Sequence, residues 1–529
     1  MESDVSNHSH HRASAAIGPL RSDGFLTAPI SRLYSALVDL GDNLKQALER
    51  LLGSGPVKVE EDGAWIAPLE NFQYDVRKKS GAVLLHLWSA EATLVRHVTA
   101  LLEDGDGRLA LKVTRFGRTR ASRLEFTKSE REPEYGRLRR EQFRSRLMEM
   151  LAHQFPDEAL SSVTSAADLE HSISGSYIRG TSTGNHPSMA IMAAAPGENA
   201  ATYDGLLTFG LLWLERSRHL KLRKPIAGLR LFFPQGTGRI SAHRLRAFSV
   251  EVELYEYDAA SWRARRLDPQ DVGNIQSWLV PRREYEALLS AARNDIESIR
   301  RMNPAAITAE PIPATRDAGL RFRGLLFARC GPGGIFFGVD SEQALNAATR
   351  PELQRLVHDL ELHRSPFAAA RHHSFYRAQP ERWLESMVLA DPSRIDPRLD
   401  SRFIYAQVPA VSSGDRGIID LLGVSREGRL TVIELKANED VHIVTQAIDY
   451  WLRVRHHQVQ GDFARYGYFP GINLSSHPPL VILVAPSLRF HPTGDILARF
   501  LAPELQISRV GLNENWRRGL RVVLRQTLR

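Results

Sequence analysis

The segment IDLLGVSREGRLTVIELKA, Ile419 to Ala437, reads as a β-hairpin with apolar residues on both arms. It nonetheless carries Asp420, Glu434 and Lys436 where a buried strand pair favours Val or Ile. Any fold for this chain must accommodate those three charges, because an unpaired buried charge is costly. SREGR is the turn, with Gly428 able to take a left-handed backbone. Centred on Glu427, it sets Asp420 directly opposite Glu434, and opposed residues on antiparallel strands have Cβ atoms about 5 Å apart. Side chains alternate along a strand, so Glu434 and Lys436 share one face while Ile433 and Leu435 share the other. Two carboxylates and an ammonium therefore converge at one end of a sheet.

Lysine usage singles out the same place. The chain has sixty arginines and nine lysines, and after Lys224 its sole lysine is Lys436. Lysine is a compact point charge whose pKa moves readily on burial, which arginine is not. Two carboxylates held so close repel each other. A hard divalent cation, Mg²⁺ or Mn²⁺, removes the repulsion by taking carboxylate oxygens while keeping several waters. The lysine can then orient, or help to deprotonate, a water on the metal. That arrangement suits phosphodiester hydrolysis. The other reading of the same residues is an ion-paired sheet end in which Lys436 bridges Asp420 and Glu434.

With its IID, hairpin and ELK, the segment resembles the PD-(D/E)XK nuclease core. The resemblance implies that Asp420 and Glu434 are metal ligands, that the Leu435 carbonyl is a further ligand, and that Lys436 positions the attacking water. The helix VTQAIDYWLRVRHH places Gln446 and Tyr450 at i, i+4 on one face. This resembles the Q-x-x-x-Y motif of RecB-type nucleases and implies that the pair braces Lys436 or the substrate. Upstream, QPERWLESMVLADP reads as a helix carrying Glu385, similar to the acidic residue on the family's first core helix. The motif's proline is absent, with Ile419 preceding Asp420. Within the superfamily, GDRGIIDLLGV, LTVIELKA and PLVILVAPSL most resemble the catalytic domain of NucS-type endonucleases, over residues 373–529. Gln407, from a neighbouring strand, is a further candidate. Arg416 and the basic run Arg453 to His457 are candidate phosphate contacts or plain charged surface.

Strands alternate with helices along the chain, so the class is α/β with mixed-sheet modules. Residues 1–25 read as a disordered leader whose HSHH is a polar tail. Residues 26–135 read as an α/β module, with a helix carrying Leu33, Leu37, Leu40 and Leu44, and a second helix over AEATLVRHVTALLE. Residues 136–265 read as a nuclease-like unit without the metal site. Residues 266–372 read as a solvated helix, a Pro- and Ala-rich linker (NPAAITAEPIPATRDAG) and a small β module. Residues 373–529 are the restriction-endonuclease-like core. The middle unit reads as a degenerate copy of that core. In both, a buried strand is followed by proline, polar loop, helix, strand and Trp-Arg, from Pro234 to Trp262 and from Pro486 to Trp516. SMAIMAAAP then replaces LTVIELKAN, with Met192 for Glu434 and Ala194 for Lys436.

At 529 residues the chain is long enough for two to four domains. Its 43% hydrophobic and 25% charged composition is that of a globular protein, with no apolar run long enough for a membrane span. The single cysteine, Cys330, excludes an intrachain disulfide and fits a reducing, cytoplasmic setting. A net charge of +8 permits a polyanionic partner, DNA first and RNA second. The expected function is a metal-dependent endonuclease acting on DNA. The alternative is a non-catalytic nucleic-acid-binding or scaffold protein that keeps the nuclease fold.

Overall fold

The computed structural model describes residues 30–528 apart from segments of at most seven residues, so the expected leader lies outside the described residues. Helices and strands are organised around four sheets, two of them mixed, and the class is α/β. Among the described residues, no helix is long and apolar enough to cross a membrane.

Helix Ile30–Gly53 buries Leu44, Ala47, Leu48 and Leu51. That spacing forms one apolar stripe, and it packs on a seven-stranded antiparallel sheet. Here one expectation fails. The stretch read as a second helix is strand Thr93–Gly105, paired on both sides with Ala82–Trp88 and Arg108–Thr114. Its Thr and Val residues suit a pleated surface, and neighbouring strands outweigh the helical spacing of its leucines. Arg96, near its start, is buried in a two-bond pair with Glu61 at 2.9 and 2.8 Å.

The middle sheet contains, side by side, Glu158–Thr164, Tyr177–Gly184, Ser188–Ala194, Ile226–Pro234, Val252–Tyr257 and Ala264–Arg266. Successive pairs run antiparallel, antiparallel, parallel, parallel, antiparallel. The C-terminal sheet contains Leu399–Ser412, Ile418–Ser425, Leu430–Leu435, Leu480–Pro486, Ile507–Leu512 and Val522–Thr527, in the same order and with the same directions. Strand Ser277–Leu279, from before the small module, adds to its outer edge. The registers also agree. Met192 pairs with Leu231 and Glu434 with Leu483, each three residues before the proline that ends its strand. Opposite Met192 stands Arg179, in the place of Asp420.

These two units face each other across reciprocal contacts. Helix Ala200–Arg218 packs on Thr493–Arg499, and helix Ile443–Val459 packs on Arg239–Arg244. The Ser249 N–H donates to the Phe500 carbonyl at 2.8 Å, and the Ala502 N–H to the Ala247 carbonyl at 2.9 Å. Phe248 and Leu501 form the bridge between them. Arg244 grips Asp449 at 2.7 and 2.6 Å, and Arg499 meets Glu215 at 2.7 Å. Thr208 and Thr445 touch at 3.5 Å between the two long helices. One hydrophobic core runs through both units.

The two ion pairs predict different outcomes on truncation. The Arg244 side chain is only 3% exposed. Arg244→Ala strands the Asp449 charge in the interface and costs about 3 kcal/mol in a urea or thermal melt. The Arg499 side chain is 63% exposed, and Arg499→Ala costs about 1 kcal/mol or less. Equal losses in the two variants would contradict this placement.

Residues 303–319, read as a linker, include strand Ile307–Pro311 of a five-stranded sheet. Ile307 is buried against that sheet's core, and the proline sits at the strand end, where no ladder bond is lost. The helix read over 283–302 is two helices, Arg282–Ala291 and Arg293–Arg300, and the second buries Ile296 and Ile299. Cys330 lies within this module, and burial pushes its thiol up to about 12. The native protein at pH 8 therefore leaves a small thiol reagent unreacted, and one thiol titrates on unfolding. Rapid labelling of the folded chain would refute this.

Candidate functional site

The hairpin register runs Leu421 to Ile433, Leu422 to Val432, Gly423 to Thr431 and Val424 to Leu430. Continuing it by one pair sets Asp420 opposite Glu434, as the turn arithmetic expects. Gly428 makes the turn at φ 83°, and a Cβ there would lie 2.1 Å from the Asn473 carbonyl. No other residue fits both the angle and the space.

Asp420 accepts the Leu435 N–H on Oδ2 at 3.0 Å. Glu434 is 2% exposed, and its Oε2 is buried without a hydrogen-bond partner. Lys436 Nζ lies 3.4 Å from Glu434 Oε1 and 3.2 Å from Asp440 Oδ2. The lysine thus bridges Glu434 and Asp440, not Glu434 and Asp420.

Burial raises the Glu434 carboxyl well above its ordinary range, and the Asp420 charge raises it further. Burial also raises Asp420, against the Leu435 N–H and Lys436. For Lys436, burial works downward, but Glu434, Asp440, Glu381 and Asp420 outweigh it and hold the ammonium protonated. Glu434 therefore has one oxygen turned to the lysine and one turned to nothing. A buried polar atom in that state calls for a ligand or carries a penalty.

Helix Pro380–Ala390 supplies Glu385, which is 3% exposed. Arg382 Nη1 donates to both its oxygens at 2.7 Å, and Gln407 Nε2 donates to Oε2 at 2.7 Å. Burial pushes this carboxyl up to about 8 against Arg382, with the charges of Glu310 and Asp420 adding to the rise. Burial raises the neighbouring Asp420 carboxyl, and Gln407 is among the groups that draw it back down. The Gln407 φ of 49° is rare within a strand. A left-handed residue other than glycine costs about 1–3 kcal/mol and tends to mark functional sites. The flanking pairs, Ala406 with Leu421 and Val408 with Ile419, put Gln407 level with Asp420.

Gln446 and Tyr450 both lie on helix Ile443–Val459, half-buried. Gln446 Oε1 is buried without a partner. Burial raises the Tyr450 phenol, and the charges of Glu434 and Asp420 raise it further. Among the described residues neither side chain hydrogen-bonds Lys436. Of the basic run, Arg453 and His457 are buried, with His457 Nδ1 2.7 Å from Asp462 Oδ2. Arg455 is half-buried and His456 is exposed. Arg416 lies outside the described residues.

The site also holds residues that the motifs did not point to. Glu381, one turn before Glu385, is pushed up by burial and drawn back down by the charge of Lys436. Asp440 pairs with Lys436, and Arg382 ties Glu385 to Glu310 of the five-stranded sheet. The i, i+4 spacing of Glu381 with Glu385 on one helix was a visible signal, whereas the Lys436–Asp440 pair forms in a loop and gave none. The reach of Glu310 across the chain gave none either.

Among the described residues, no three His, Cys, Asp or Glu side chains form a ready cage for an ion. A Mg²⁺ that keeps several waters does not need one. The unpartnered Glu434 oxygen opposite Asp420 fits such an ion. No family model matches the chain, and no curated protein matches it.

Proposed function

We propose that the C-terminal unit is a Mg²⁺-dependent endonuclease that hydrolyses phosphodiester bonds in DNA, working in the cytoplasm. The observation that carries this reading is the fully buried Glu434, with one oxygen unpartnered, opposite a second carboxylate and beside the only lysine of the last three hundred residues. Asp420, Glu434 and the Leu435 carbonyl would hold the metal. When bound, it supplies positive charge for the phosphate and the attacking oxygen. Lys436, held protonated, donates a hydrogen bond and orients water; it is not the base. Glu385 and Gln407 position Asp420. In-line attack leaves 5′-phosphate and 3′-hydroxyl ends, as the family resemblance implies.

One observation favours a second reading, a non-catalytic nucleic-acid-binding protein. Glu385 is taken up by Arg382 and Gln407, so it is not free to serve an ion. The test is the purified full chain with Mg²⁺ or Mn²⁺, against single-stranded, duplex, mismatched and flapped DNA and the matching RNAs. The expected result is DNA cleavage that EDTA stops. Binding without cleavage under both metals would leave the second reading standing and remove the first. Cleavage confined to RNA would overturn the substrate.

A further inference from the structure

Taking the C-terminal unit as a nuclease, we infer that the chain is an intramolecular two-fold pair with one working site, and that each binding event cuts one strand of a duplex. The two sheets have the same strand order and directions, and their contacts are reciprocal, each helix packing on the counterpart of the other's neighbour. The Ala247–Ser249 and Phe500–Ala502 segments exchange one backbone bond each way. Such self-complementary exchange is the signature of a two-fold interface. Here both halves belong to one chain.

The strand ends that carry the chemistry meet near this interface. Glu434 and Lys436 lie at the end of Leu430–Leu435, which leads into helix Ile443–Val459. Met192 and Ala194 end Ser188–Ala194, which leads into helix Ala200–Arg218. The start of helix Ile443–Val459 touches the first half of helix Ala200–Arg218. Phe209 stacks edge-on against His442 at 5.8 Å, and a Cβ on Gly205 would meet the His442 ring at 3.3 Å. Counting outward from the Thr208–Thr445 contact, Phe209 and Trp213 take the places of Gln446 and Tyr450.

The second site is therefore filled, not merely missing its acids. Arg179 takes the place of Asp420, with its guanidinium 5.5 Å over the Trp213 ring. Met192 and Ala194 are fully buried. A cation, a thioether and a methyl group cannot hold a divalent metal. The strands of a DNA duplex are related by local two-fold axes, so a two-fold protein presents one half to each strand. With one half inert, water attacks one phosphorus. Its oxygen forms the new P–O bond, the bond to the 3′ oxygen breaks, that oxygen gains a proton, and a water proton passes to solvent. The opposite strand stays whole.

Supercoiled plasmid incubated with the full chain and Mg²⁺ or Mn²⁺ tests this. Open circles accumulate as the main product, and linear DNA appears only later, from independent nicks. Linear DNA that forms in step with loss of supercoils, or that rises with the square of protein concentration, overturns the inference while leaving the nuclease intact. Cleavage of single strands but of no duplex does the same. No cleavage of any nucleic acid removes the nuclease reading itself. A readout free of activity is the hydroxyl-radical footprint of the Glu434→Gln chain on duplex. Both strands are protected about a dyad if the inert half binds DNA, and protection of one strand alone overturns the pairing.

Discussion

Glu434→Gln abolishes metal-dependent cleavage, lowering the rate by about 10³-fold or more, and at the same time stabilises the metal-free protein. Both effects have one cause. In the absence of an ion, the native state holds a carboxyl group that is out of water, faces Asp420 and has one oxygen unpartnered, so its ionised form is disfavoured. The amide keeps the shape, cannot ionise beside Asp420 and can still meet Lys436 as an acceptor. Its stabilisation is on the order of 1–2 kcal/mol, the usual direction at a site built for function. Thermal melts in EDTA and in Mg²⁺ check it. Mg²⁺ raises the wild-type Tm because it binds the native state only, and it leaves the variant unmoved. Lys436→Met separates binding from chemistry, losing cleavage but keeping the Mg²⁺ shift. Equal Mg²⁺ shifts in wild type and Glu434→Gln would remove Glu434 from the metal site.

Arg364→Met destabilises the chain by about 3–5 kcal/mol. Arg364 is 0% exposed, and no carboxylate pairs with it among the described residues. Its guanidinium is spent on carbonyls: Phe322 at 3.0 Å, Arg323 at 2.9 Å, and Phe375 and Ala378 at 2.7 Å each. It also lies 4.8 Å over the Trp383 ring. Burial, then the charges of Arg517 and Arg323, push its pKa down to about 9. The methionine fills the volume but leaves several buried carbonyls unanswered. Lysine does not rescue it, because three donors at a point cannot span the fork's partners. These carbonyls join the five-stranded sheet to the left-handed Gln379, where the helix carrying Glu381 and Glu385 begins. The loss therefore reaches the site as well as the melt. A urea midpoint unchanged in Arg364→Met would refute the clamp.

The hairpin was legible because its information is local. A two-residue alternation and a glycine at the turn set the facing pair before any long-range contact forms. The matching strand orders were legible for a related reason, since each unit repeats its own pattern of strand, proline, loop and helix. Strand Thr93–Gly105 was not legible. Its apolar residues suit either period, and the decision came from strands on both sides. Strand Ile307–Pro311 was hidden by the prolines and alanines in and around it, a stretch that reads as linker until a sheet accepts its backbone.

Within the site, the sequence alone determined which residues stand on one face of one hairpin: Asp420, Glu434 and Lys436. Covalent geometry and strand alternation leave no other arrangement once the turn forms. The tertiary structure decided the state of those residues. It sealed Glu434 from water, gave Lys436 to Asp440 instead of Asp420, brought Glu381 and Gln407 to the hairpin from other elements, and set Arg382 against Glu385 and Glu310. Burial and long-range pairing depend on which surfaces meet, and no stretch of chain carries that information by itself.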